Sequence, residues 1–143
     1  MRSRFILAVL AGMLTIGVVG GILYGVIFAG LFASNRGSAT GVMKSPPDFL
    51  WVGLAHIPFS VLLTLVVMWR GQTTARGGAL SGAILGFLMA ASYDLSQYGT
   101  TNLWSLKLTL VEPLITMVMI GIAGAVVGTV LGHARPHNNQ KSR

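Results

Sequence analysis

The sequence contains no cysteine, which excludes disulfides, thiolate metal sites, haem attachment through thioethers and thiol redox chemistry together. Acids are nearly missing too: there are three Asp and Glu in 143 residues, and all charged residues together make up 9%. Soluble domains carry about 25% charged residues, so this chain cannot coat an ordinary water-facing surface. Also absent are a P-loop, a dinucleotide glycine motif, CxxC, HExxH and a nucleophile elbow. No catalytic constellation is recognised, no cofactor is expected, and no metal site is read from one histidine and two carboxylates on separate helices.

What the chain has instead is apolar length. Hydrophobic residues make up 53% of it, gathered into four runs at 5–32, 49–69, 77–98 and 106–131. Crossing roughly 30 Å of hydrocarbon takes roughly 20 apolar residues in a helix, because the backbone polar groups must be satisfied within the segment. All four runs are long enough. The expectation is an all-α integral membrane four-helix bundle, a single domain over 1–132, followed by a polar cytoplasmic tail over 133–143. The first run follows Arg2 and Arg4 and is much longer than the roughly 7–15 residues of a signal-peptide core. It reads as a signal anchor retained as the first helix.

The ten Lys and Arg against three acids give a net charge of +7. In a soluble chain that excess would suggest nucleic acid. Here the basic residues flank the apolar runs, so they are read as topology signals, and the partners expected are lipid and other membrane subunits or further copies, with no nucleic acid. Arg2, Arg4, Arg70, Arg76, Arg135, Lys141 and Arg143 fall on one side, and Arg36, Lys44 and Lys107 on the other. The positive-inside rule then puts both termini in the cytoplasm. Trp69 marks the inner interface in this arrangement, and Trp51, Tyr98 and Trp104 the outer one.

Helices in lipid associate by close contact, which small residues permit. Glycines recur at four-residue spacing in three of the runs: Gly17, Gly21 and Gly25; Gly78, Gly82 and Gly86; Gly124, Gly128 and Gly132. These are the expected packing faces, and the second helix, which lacks such a series, is expected to be peripheral. The first two series share one register, which suggests a duplicated helical hairpin.

Two of the three acids, Asp94 and Glu112, lie within apolar runs, as does His56. Charge near the bilayer centre costs about 2.5–3.5 kcal/mol on insertion scales, so such residues face the interior and are functional candidates. Counted at 1.5 Å per residue, all three sit about 6–11 Å below the outer boundary. His56, Ser60 and Thr64 form one polar stripe, and Thr109, Glu112 and Thr116 another; Tyr24 and Tyr93 can bring hydroxyls to the same level, and Lys107 can either snorkel to the interface or bend toward Glu112. Pro58 and Pro113 free the carbonyls of Leu54 and Thr109 beside these groups. The expectation is a polar pocket in the outer half of the bundle that binds, and takes part in transporting, a proton, cation or small cationic solute. The alternatives are a hydrogen-bonded network that only fixes helix register, and a structural or accessory subunit of a larger membrane complex.

Two segments, LYGVIFAGLFASNRGSATGVMKSPPDFLWVGLAH and GALSGAILGFLMAASYDLSQYGTTNLWSLKLTLVEPLIT, together resemble a family of small four-helix bacterial inner-membrane proteins to which no activity is attached. The resemblance covers most of 21–132, and its most distinctive piece runs from Tyr93 and Asp94 through Tyr98, Thr101 and Asn102 to Glu112 and Pro113. It implies a bacterial plasma-membrane location and the four-helix layout.

Overall fold

The computed structural model describes residues 2–44 and 46–133. The expected tail therefore lies outside the described residues, apart from His133, as do the charges at Arg135, Lys141 and Arg143. The elements, in order, are α1 (Arg2–Ile22), a π-helical turn (Leu23–Ile27), α2 (Ala29–Ser34), α3 (Phe49–Trp69), α4 (Ala75–Thr100) and α5 (Leu106–His133). Four helical stretches are long and apolar enough to cross a membrane: Arg2–Ile27, Phe49–Trp69, Ala75–Thr100 and Leu106–His133. Large apolar side chains such as Leu14, Leu50, Leu88 and Leu110 point outward on each of them. That is a surface built to face lipid.

The densest packing joins α4 and α5, where the glycine series meet. A side chain at Gly78 would run into the Gly124 carbonyl, one at Gly82 into the Ile120 carbonyl, and one at Gly86 would come within 2.7 Å of Ile120 Cβ. Gly128 and Gly132 likewise lie against the carbonyls of Thr74 and Thr73. Backbone against backbone is what maximises dispersion contact without hydrophobic help from solvent. The result places α5 at the centre: 44% of its most apolar stretch is buried, against 28% for α4 and 22% each for the first and second spans.

On α1 the expected packing face is corrected. Among the described residues a Cβ at Gly21 or Gly25 would meet nothing within 4 Å, and one at Gly17 would make only an ordinary contact with His56 at 3.7 Å. The contact face is instead Ala8, Gly12 and Ile16, all buried. Ser60 of α3 lies against Gly12 there and donates to the Val9 carbonyl at 2.7 Å. The physical reason is that spacing identifies glycines that could pack, while the neighbouring helix decides which do. Equal spacing in α1 and α4 thus serves unequal roles, and α1 is as little buried as α3.

The first span also ends differently from the single helix expected over 5–32. The amide of Phe28 donates to the Leu23 carbonyl at 2.7 Å, a bond across five residues that accommodates one extra residue in the turn. The backbone then leaves helical geometry at Phe28 and restarts as α2. Glycines at 20, 21 and 25 weaken regular helix here.

At the end of the bundle that holds α2, two connections bind each other. Gly37 N–H donates to Leu103 O (2.8 Å), Ala39 N–H to Asn102 O (3.1 Å), and Ser105 N–H to Asn35 O (2.9 Å). Ser105 Oγ adds a bond to Asn35 Oδ1 at 3.1 Å. This antiparallel clasp was not legible in the sequence. It requires glycine at 37, where any Cβ would overlap the Asn102 carbonyl. Gly37→Val is expected to open the clasp at a cost of about 1–3 kcal/mol, since each hydrogen bond is worth about 1 kcal/mol net. Amide exchange at Ala39 and Ser105 should accelerate in that variant; unchanged protection would show that the clasp tolerates the side chain.

Candidate functional site

Beneath the clasp, α5 presents Thr109, Glu112 and Thr116 inward, and the π turn brings Tyr24 to meet them. Tyr24 Oη donates to Glu112 Oε1 at 2.6 Å, Thr116 Oγ1 donates to the same oxygen at 2.7 Å, and the two hydroxyl oxygens are 2.7 Å apart. Three short contacts share two hydroxyl protons. A proton on Glu112 would supply the third and close the ring.

Asp94 of α4 is 7% exposed. Its Oδ2 and the second oxygen of Glu112, Oε2, are both out of contact with solvent and, among the described residues, without a hydrogen-bond partner. Two ionised carboxylates offer no donor between them, so a proton or another cation is the species that would satisfy both. Both acids line one cavity of about 200 Å³. Its remaining walls are Phe32, Tyr93, Trp104 and Leu108, with Thr109 between the helices. The Thr109 hydroxyl is committed to the Ser105 carbonyl at 3.1 Å.

Aromatic rings connect this cavity to the Tyr24 network. Tyr24 and Phe32 meet edge to face at 5.2 Å, and Phe32 and Trp104 do so at 6.1 Å with planes at 90°. Phe32 is carried by α2, and Trp104 by the clasp opposite Arg36. Neither was singled out as a site residue from sequence: Trp104 read as an interface anchor, and Phe32 as one more apolar residue at the end of a helix.

The candidates thus divide. Asp94, Glu112, Tyr24 and Tyr93 come together, with Tyr93 at the rim, 64% exposed and accepting from Gln97 Nε2 at 3.2 Å. His56 does not join them. It lies against Gly17, seven residues and thus about 10 Å along the helix from Tyr24, and makes no hydrogen bond among the described residues. Lys107 is exposed and stands apart from the cavity lining. Among the described residues, no three His, Asp or Glu gather as a metal-ligand set.

Residues 5–130 match a family described as predicted membrane protein (DUF2177), and the chain belongs to it. No curated protein and no solved structure matches the chain.

Proposed function

Taking that family as the premise, we propose that this chain binds a cation in its outer cavity, between Asp94 and Glu112, in a bacterial plasma membrane with both ends in the cytoplasm. The observation that carries the reading is the buried Asp94 carboxyl, whose Oδ2, like Oε2 of Glu112, lacks a donor among the described residues, while both residues line one cavity. A buried anion without a partner is costly, and a bound cation removes the cost. The orientation rests on the seven basic residues of one side against three of the other. Arg4 shares a groove with the α3–α4 turn and Leu131 of α5, consistent with one basic end. The role is binding, and through it transport, rather than catalysis.

The test is thermal melting of the purified full chain in detergent, wild type and Glu112→Gln, across pH and a panel of cations and organic amines. Wild type should gain stability with at least one of them, by about 2.7 kcal/mol at a hundredfold excess over Kd. Glu112→Gln should fold and lose that response. Parallel curves without response in either protein would sink the proposal.

One observation favours a second reading. A Cβ at Gly21 or Gly25 would meet nothing within 4 Å among the described residues, which leaves room for the close approach of a helix from another copy or from a partner subunit. A transport path would draw on a second copy at this face; an accessory subunit would dock there, and its recovery with a partner at fixed stoichiometry distinguishes the two.

A further inference from the structure

We infer that the cation this cavity accepts is a small organic ammonium ion rather than a metal or other inorganic cation. The inference rests on the cation-binding reading above and adds the ligand's chemical class.

The walls decide the class. A hard metal ion takes six or more oxygens, or keeps water in their place. Here the side-chain oxygens on the cavity come from Asp94 and Glu112, with the Thr109 hydroxyl already committed and the Tyr93 hydroxyl at the rim. A bare ion would leave most of the roughly 200 Å³ to be filled by about six waters at ~30 Å³ each. Those waters would face Phe32, Trp104 and Leu108, which offer them almost no hydrogen bonds. An ammonium head fits both halves of the site. Its N–H groups would donate to the carboxyl groups of Asp94 and Glu112, which line the cavity. Its carbon substituents take the apolar walls, and its charge is attracted by the ring faces of any aromatic within about 6 Å. The cavity is smaller than the ~300–1,000 Å³ of drug-sized pockets, so the ligand is an amine of few heavy atoms.

The test is isothermal titration of the purified full chain in detergent with ethylammonium, phenethylammonium, potassium, sodium and calcium at matched ionic strength. An organic ammonium ion should bind and the inorganic cations should not compete at equal concentration. Trp104→Leu and Phe32→Leu should each weaken the organic ligand by about 3- to 30-fold, and Asp94→Asn should abolish its binding. Trp104→Phe, which keeps a ring, should retain most of it and guards against loss through misfolding. Preferential binding of potassium, sodium or calcium would overturn this inference while leaving the cation site standing. Organic binding that Asp94→Asn abolishes but Trp104→Leu and Phe32→Leu leave unchanged would overturn the role of the rings. Binding of none of the five would overturn the inference and count against the cation site as well.

Discussion

Gly82→Leu is expected to destroy the folded bundle, whereas Gly53→Leu, on α3, leaves it intact. A Cβ at Gly82 would overlap the Ile120 carbonyl and lie 3.1 Å from Gly124 Cα, so it meets backbone rather than a side chain that could rotate away. Accommodating Leu means separating α4 from α5, the closest pair in the molecule, over the turns that also hold Gly78 and Gly124. Overpacking in a tight core costs about 1–3 kcal/mol and more where backbone must move; here the upper end or beyond is expected. A Cβ at Gly53 would meet nothing within 4 Å among the described residues, and its new side chain would face lipid. Melting and size-exclusion profiles in detergent provide the measurement. Similar stability for Gly82→Leu and Gly53→Leu would show that the α4–α5 contact does not hold the fold.

That contrast also marks how far the sequence could be read. The spans were legible because apolar length is set by the bilayer, and α3 begins and ends where its hydropathy does, at Phe49 and Trp69. The α4 and α5 glycines were legible because two long regular helices kept their four-residue stripes in mutual contact. On α1 the same spacing misled: Gly12, alone between Ala8 and Ile16, does the packing, and nothing local separates it from Gly21. The π turn delivers Tyr24 to Glu112 and Thr116 across the bundle, and the glycines at 20, 21 and 25 permit that irregularity without specifying it.

At the site, Asp94 and Glu112 were legible because acids are so rare in apolar runs. Depth counting put them at one level, and both line one cavity, but it also brought in His56, since equal depth says nothing about which neighbour a helix face meets. Lys107, five residues from Glu112, could either snorkel to the interface or bend toward the acid, and it is exposed. Phe32 and Trp104 could not be assigned because the clasp that positions Trp104 joins backbone groups of two connections, and backbone hydrogen bonds between loops leave almost no mark on composition beyond Gly37.

The central claim, that Asp94 and Glu112 together hold a cation, is tested most directly by carboxyl labelling. A hydrophobic carbodiimide partitions into the membrane region and adds to a carboxyl group, consuming its proton and leaving a stable acylurea that mass spectrometry locates. A cation seated between the two carboxylates takes the place of that proton and blocks the reagent, so occupancy is read as protection. The chain supplies its own control, because its third acid, Asp48, is exposed beside Lys44, 3.9 Å away, and lies outside the cavity. The account predicts that rising concentrations of a small ammonium ion slow labelling of Asp94 and Glu112 by tenfold or more at about ten times Kd, with Asp48 unchanged. Labelling of Asp94 and Glu112 at one rate whatever cation is added, or slowed only as much as Asp48, would contradict it.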